Sequence, residues 1–240
     1  MPNKTSTNEI YLFSNLSIED ETPLFSLENF YLFETLKIEN KKIIDLDLHL
    51  SRLFHSLKTL DKLILLNKAE LKDHLEKIPL PLTGRLRINY SKHNVWLQMT
   101  ELPTYPGIIK LGFDDEAMVY SDNLLLQHKT SLYSLNKYLQ EKRTDLDDVI
   151  FINQNGVLTE TTKANIFIFD HLKQQLITSP VTSGLLPGIE RQKLLDQKIY
   201  LCQNKEYLIL EKEIRKIDIQ SHTDFLLTNS LMGAKFGKMV

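Results

Sequence analysis

Asn155-Gly156 is the stretch that most limits how this chain can fold. Both residues tolerate positive φ, so the pair closes a tight reversal at little cost. It lies between two runs with strand character, 149–153 (VIFIN) and 157–159 (VLT). That arrangement predicts an antiparallel hairpin with Asn153-Gln154-Asn155-Gly156 at its tip. Glu160 follows at the end of the return strand, among Thr159, Thr161 and Thr162. A carboxylate held there could pair with a protonated ring nitrogen, or could simply be a solvated strand-end glutamate.

A second reversal comes at Ser183-Gly184-Leu185-Leu186-Pro187-Gly188. Pro187 cannot continue a preceding helix, and Gly188 permits a sharp turn. Residues 189–197 then carry apolar side chains at Ile189, Leu194 and Leu195, which predicts a helix. The amides of Ile189 and Glu190 would have no acceptor inside that helix and could face an anion, although loop-to-helix junctions are common. Upstream, Lys129 follows Leu124, Leu125 and Leu126, read as a buried strand leading into a site. A lysine attacks a carbonyl only when neutral, and burial lowers its pKa. Taken singly, a lysine is more often a solvated surface residue. An amine, a proton-holding carboxylate and an anion-binding helix start are together the parts of a pyridoxal phosphate site.

The N-terminal part predicts a different unit. Residues 1–9 are polar and expected to be loose, and 10–13 could be a short strand. Asp20-Glu21-Thr22-Pro23 reads as a loop. Residues 30–38 read as a strand, turned by Glu39-Asn40-Lys41-Lys42 into Ile43-Ile44. Asp47 is a candidate cap for a helix with apolar residues at Leu50, Leu53, Phe54, Leu57 and Leu60. Arg52 lies off that stripe and could reach a ligand, or stay solvated. His49 and His55 do not have the i, i+4 spacing of a helical metal pair and read as structural or surface residues. A second helix over 68–78 ends at Pro79 and Pro81, and a hairpin pairs 84–90 with 95–100. Arg85 and Arg87, two apart, share one strand face, where they could meet a carboxylate or water.

Two prolines and a glycine make 103–107 the best linker. It separates a smaller N-terminal α/β domain, 1–105, from a larger C-terminal domain, 108–240, that carries Lys129. Short elements are expected at 108–113, 206–210 and 213–217, with a late strand over 224–228. The 240 residues, 42% hydrophobic and 25% charged, are ample for a core. A net charge of −2 gives no electrostatic case for nucleic acid. Cys202, the single cysteine, permits no intramolecular disulfide and is expected in a helix-to-strand connection. A reduced, cytoplasmic setting fits. No secretory pattern and no apolar run of roughly 20 residues argue for export or a membrane span.

Five segments in order carry a family resemblance: LFETLKIENKKIIDLDLHLSRLFHSL, HKTSLY, INQNGVLTETTKANIFIF, TSPVTSGLLPGIERQKLL and FLLTNSLMG. The chain resembles class IV pyridoxal phosphate aminotransferases over about residues 23–235. That fold is shared by branched-chain and D-amino acid aminotransferases and by aminodeoxychorismate lyase. HKTSLY, GLLPG and TNSL look most like the lyase domains fused to aminodeoxychorismate synthase. The resemblance implies a two-domain α/β fold of the D-amino acid aminotransferase type (pyridoxal phosphate fold type IV). It also implies a homodimer, with pyridoxal 5'-phosphate held between the domains.

By the same resemblance, Lys129 is the Schiff-base lysine and general acid/base, and Glu160 partners the pyridine nitrogen. Arg52 binds the cofactor phosphate, as do the amides of Ile189 and Glu190 and the segment of Asn229 and Ser230. Phe33 lines the pocket of a small-molecule substrate. The implied reaction is cleavage of 4-amino-4-deoxychorismate to 4-aminobenzoate and pyruvate, towards folate, with a functional link to aminodeoxychorismate synthase. Transamination of D- or branched-chain amino acids is the alternative, and a catalytically silent homologue that binds the cofactor is a second. Three departures stand out. Glu190 replaces a threonine common in relatives. Asn29-Phe30-Tyr31-Leu32 stands where relatives have a Tyr-Gly-Asp-Gly approach. The Arg-Gly element that traps carboxylate in D-amino acid aminotransferases is missing around 98–102.

Overall fold

The computed structural model describes residues 9–12 and 30–240. The expected loop over 20–23 and the looseness of residues 1–8 lie outside the described residues. The chain divides into two compact units, with the boundary between Thr104 and Tyr105. Lys129–Leu132 belong to the first unit, although they fall within 108–240 in sequence. The reason is backbone pairing: Leu32 and Thr130 form an antiparallel bridge, the Phe33 amide donates to the Lys129 carbonyl at 2.9 Å, and the Ser131 amide donates to the Tyr31 carbonyl at 2.8 Å.

Among the described residues, the first unit is a five-stranded sheet with two helices. Its strands are β1 (Glu9–Leu12), β2 (Leu32–Glu39), β3 (Lys42–Ile43), β4 (Thr83–Tyr90) and β5 (Val95–Thr100), in the order β1-β5-β4-β2-β3. Helix α1 (Leu46–Thr59) buries His49, Leu50, Leu53, Ser56 and Leu57, and α2 (Lys68–Lys77) buries Leu71 and Leu75. Strands β2, β4 and β5 alternate buried and half-buried residues, as a sheet does when one face meets helices. Leu36, Ile38, Leu86, Ile88 and Leu97 thereby join the helix leucines in one core.

The helix starts differ from each other. Asn67 caps α2, accepting from the Ala69 and Glu70 amides, while the Glu70 carboxylate accepts from the Asn67 amide at 2.8 Å. Asp47 is not the cap of α1. The cap is Asp45, in left-handed conformation at φ 54°, with no side-chain bond. Asp47 sits in the first turn, where Lys72 Nζ donates to its carboxylate at 2.9 Å. The positive φ of Asn40 and Lys41 reverses the chain before it, so the helix begins on the heels of a turn.

The second unit is built on nine strands: β6 (Ile108–Val119), β7 (Asp148–Asn153), β8 (Leu158–Thr161), β9 (Asn165–Asp170), β10 (Gln175–Thr178), β11 (Ile199–Cys202), β12 (Lys205–Glu211), β13 (Asp224–Asn229) and β14 (Gly233–Met239). Helices α3 (Ser134–Lys142) and α4 (Ile189–Gln197) complete it. The order is β11-β12-β10-β9-β13-β14-β6-β7-β8, and β8 also pairs with β9. That extra pairing closes β9, β13, β14, β6, β7 and β8 into a ring. Its register pair is Glu160 with Asn165, reached through a tight corner in which the Thr161 amide donates to the Ala164 carbonyl at 2.8 Å.

Two sequence expectations need correction here. Leu124, Leu125 and Leu126 are not a buried strand. They form a 3-10 turn (Leu124–Gln127) capped by Asn123, whose Oδ1 accepts from the Leu125 amide at 3.1 Å, and Leu124 is exposed. An apolar triplet alone does not distinguish a strand from a short helical turn. Cys202 ends strand β11 rather than lying in a helix-to-strand connection, because Lys198 reverses the chain directly after α4 at φ 62°.

Candidate active site

In the first unit, β2 sends neighbouring side chains to opposite faces. Glu34 faces α1. It is 1% exposed and accepts from Arg52 through Nε at 2.8 Å and through the terminal nitrogen at 2.6 Å. His49 Nδ1 lies 2.7 Å from the second carboxylate oxygen. His49 and Arg52 are three apart on α1, so they share the face that meets Glu34. Burial pushes the Glu34 carboxyl up, but the Arg52 charge and hydrogen bonds, joined by those of His49, outweigh it and hold the group at about 2. Arg52 therefore sits as a fixed, largely buried guanidinium, and His49 is structural as read from its spacing.

Phe33 faces the other way. Arg87 Cζ stands 3.8 Å from its ring centroid and Lys129 Nζ stands 4.7 Å from the same centroid. Arg87 Nε also donates to Asn89 Oδ1 at 3.0 Å. The Tyr31 ring approaches Trp96 at 5.2 Å and Phe33 at 6.5 Å. This sheet face thus combines an aromatic wall with two cations, one of them the half-buried Lys129.

The second unit holds a separate set. Glu160 and Asn165 face each other across the corner that closes the strand ring. Asn165 Nδ2 donates to Glu160 Oε2 at 3.0 Å and to the Leu186 carbonyl at 2.8 Å. Leu186 lies in the turn that opens α4. Gly188 is the N-cap of that helix and offers no side chain to compete for its first amides. An alanine Cβ there would fall 1.9 Å from Asn165 Oδ1. Ile189 is buried and opens the helix, and the Glu190 carboxylate is paired with Lys193 at 3.0 Å along its own helix. Arg191, 1% exposed, ties α4 to the Ser179 carbonyl at 2.7 Å and to Glu211.

Asn229 and Ser230 lie at the turn between β13 and β14. The Asn229 side chain builds that turn, accepting from the Leu231 and Met232 amides and donating to the Lys163 carbonyl. Two buried hydroxyls near the expected phosphate segments, Ser183 Oγ and Thr228 Oγ1, have no hydrogen-bond partner among the described residues. Such atoms are uncommon and are often satisfied by ligand or water.

These residues fit pyridoxal phosphate by their chemistry. The first turn of α4 offers backbone donors and a positive dipole end to a phosphate. Within the second unit Glu160 could offer a carboxylate to a ring nitrogen, and within the first unit Lys129 could offer an amine to an aldehyde. Sequence reasoning missed Glu34 and Asn165. Both stood inside quoted segments, but their roles depend on facing residues 18 and 21 positions away.

The family follows from comparison with known proteins. A family profile described as amino-transferase class IV matches residues 31–235. The chain belongs to that family of pyridoxal phosphate-dependent enzymes and has its fold. It is 23% identical over 222 residues to a D-alanine aminotransferase of Bacillus licheniformis, covering 83% of this chain and 75% of that one. A branched-chain aminotransferase from Thermoproteus uzoniensis, solved with norvaline, superposes with TM-score 0.77 at 17% identity, over 98% of this chain and 88% of that one. A Legionella pneumophila protein provisionally called a 4-amino-4-deoxychorismate lyase superposes with TM-score 0.74 at 22% identity, over 92% and 88% of the two chains. No helix among the described residues is long and apolar enough to cross a membrane.

Proposed function

We propose that the protein is a 4-amino-4-deoxychorismate lyase, forming 4-aminobenzoate and pyruvate. The supporting observation is the face around Phe33, where an aromatic wall meets the Arg87 guanidinium and the Lys129 amine. A six-membered diene ring that bears a carboxylate and an amine, and becomes a flat aromatic ring on cleavage, matches that combination. The HKTSLY, GLLPG and TNSL segments and the provisional name of the Legionella protein point the same way.

When bound, pyridoxal phosphate supplies an aldehyde for the substrate amine and a ring that accepts the electron pair left by a departing proton. Lys129 would hold the cofactor until substrate arrives. Its freed amine would take the proton from the substrate carbon bearing nitrogen and return it to the departing enolpyruvate, which becomes pyruvate as the bond between the substrate ring and the enolpyruvyl oxygen breaks and the ring becomes aromatic. Glu160 would keep the ring nitrogen protonated. Arg52, the amides of Ile189 and Glu190, and Ser230 beside Asn229 would fix the phosphate. Proton transfer by a placed lysine contributes roughly 10²–10⁴-fold.

Transamination of D- or branched-chain amino acids is the second reading, supported by the names of the Bacillus and Thermoproteus relatives. Lys129 and Glu160 would serve it equally, since both reactions begin by removing a proton beside an imine. A silent, cofactor-binding homologue is a weaker third, because Glu190 pairs with Lys193 and spares a phosphate its charge. The lyase reading carries with it a cytoplasmic homodimer whose substrate comes from aminodeoxychorismate synthase.

The test uses cofactor-loaded protein and enzymatically generated aminodeoxychorismate, with D- and L-amino acids plus 2-oxoglutarate in parallel. Equal amounts of aminobenzoate and pyruvate, lost in Lys129→Ala, are expected. Keto acid without aminobenzoate would replace the lyase reading with the transaminase.

A further inference from the structure

We infer that Asn165 is a positioning residue that locks the Glu160 carboxylate to the turn opening α4, so that one side chain sets both anchor points of the cofactor. The inference rests on the reading of Glu160 as partner of the ring nitrogen and of Ile189 and Glu190 as phosphate donors.

The argument begins with the amide. Its two neighbours, Glu160 Oε2 at 3.0 Å and the Leu186 carbonyl at 2.8 Å, are both acceptors. Only the nitrogen end of an amide can satisfy two acceptors, so the orientation is fixed by chemistry and both N–H hydrogens are used. Asn165 is 4% exposed, and water does not compete for these bonds. Its strand position is set on both sides, by Glu160 across the ring-closing corner and by Thr228 on β13. The oxygen end fills the space where any side chain at 188 would begin, which is why glycine stands there. Gly188 has an ordinary φ of −70°, so close approach, not backbone conformation, demands it.

Two consequences follow for the site. A donated hydrogen bond favours the ionised form of Glu160, the form that can hold a protonated ring nitrogen. The second bond fixes the Leu186-Pro187-Gly188 turn, and so the direction of the first amides of α4. Asparagine has the right shape for this, whereas aspartate of the same shape would place a second carboxylate beside Glu160 and lose both donations.

The experiment compares Asn165→Asp, Asn165→Ala, Gly188→Ala and Glu160→Gln with wild type. Cofactor dissociation constants and the pH dependence of the bound cofactor's absorbance are read, with circular dichroism confirming folding. Asn165→Ala should bind cofactor on the order of tenfold more weakly, the size of a lost hydrogen bond to a charged group. In Asn165→Asp the paired carboxylates should hold a shared proton to higher pH than Glu160 does alone, displacing the midpoint of the absorbance titration from that of wild type. Gly188→Ala, which displaces the amide without removing it, should move the same titration. A merely structural Asn165 would alter melting but not the titration. Wild-type affinity and titration in folded Asn165→Ala and Asn165→Asp, alongside a changed Glu160→Gln, would overturn the inference and leave the Glu160 reading intact. An unchanged Glu160→Gln would overturn both.

Discussion

Glu34 and Arg52 meet through two charge-assisted hydrogen bonds of 2.6 and 2.8 Å, with the carboxylate 1% exposed and His49 on its other side. The pair joins strand β2 to helix α1 and holds the guanidinium proposed to meet the cofactor phosphate. Glu34→Gln leaves a mostly buried cation without its counter-charge. Breaking one side of such a pair costs about 3 kcal/mol, so the urea midpoint of the apo protein should fall markedly. Cofactor affinity should fall as well, because Arg52 is no longer held in one orientation.

The same carboxylate sets an acid limit. Its folded pKa, about 2, lies below the ordinary 4.5. A group depressed in this way contributes stability that is complete above 4.5 and is lost as pH falls through about 2. The amount is about 3 kcal/mol. Urea unfolding of wild type between pH 5 and 2 should therefore show a loss that Glu34→Gln lacks. Parallel curves for the two proteins would mean that the pair is not formed in solution.

Asp148 behaves in the opposite sense. Burial raises its pKa from 3.8, against the lowering effect of hydrogen bonds from Thr162 and Thr161. A raised group contributes stability fully present below its unfolded value and lost as pH rises through the folded one. Asp148→Asn removes that dependence while keeping the shape. Its stability relative to wild type should improve as pH rises above the ordinary 3.8, and chemical denaturation at several pH values measures it.

Local chemistry made much of this protein readable in advance. Asn155-Gly156 forms its turn, with Gly156 at φ 75°. The helix after Gly188 spans Ile189–Gln197 as its apolar spacing predicts. The leucines of α1 and the alternation of β4 and β5 also followed from period alone. What was not readable depends on long-range partners. Asp47 looks like a cap, but left-handed Asp45 and Lys72 decide otherwise. Leu124–Gln127 looks apolar enough for a strand, yet Asn123 winds it into a turn. Lys129 joins the first unit only because Leu32 and Thr130 pair across 98 positions, a fact no local window holds. Strand β14 (Gly233–Met239), with glycine at both 233 and 237, carries little strand signal; its glycines suit a turn and close packing against Leu227 and Leu111.

Arg87 provides a test of substrate recognition. Its guanidinium lies over Phe33, the ring that Lys129 also approaches. If it meets the substrate carboxylate, Arg87→Met should raise KM by on the order of tenfold or more, since a charge-assisted bond is lost. Cofactor absorbance should be unchanged, because the reading gives Arg87 the substrate carboxylate and not the cofactor. Steady-state kinetics with aminodeoxychorismate would separate this from a folding defect: a fall in kcat at constant KM would assign Arg87 a different role.

Glu190 is the residue most at odds with a phosphate site, and its geometry makes the oddity testable. Its backbone amide is one of the proposed phosphate donors, while its carboxylate is turned along α4 to Lys193 at 3.0 Å. A negative charge in the first turn of a helix is favourable to the helix and unfavourable to an anion bound there. The ion pair with Lys193 reduces the second effect, and both groups are partly exposed, so solvent screening reduces it further. Glu190→Thr removes the charge and adds a hydroxyl within the same turn. It should tighten cofactor binding by less than about tenfold and lower helix stability by a few tenths of a kcal/mol. Lys193→Ala should leave the carboxylate uncompensated and weaken cofactor binding. Titration of apo protein with pyridoxal phosphate at low and high salt distinguishes the cases, since a charge effect shrinks with ionic strength and a lost hydroxyl contact does not. Equal affinity of wild type and Lys193→Ala at low salt would show that the Glu190 carboxylate is too far from the phosphate to matter.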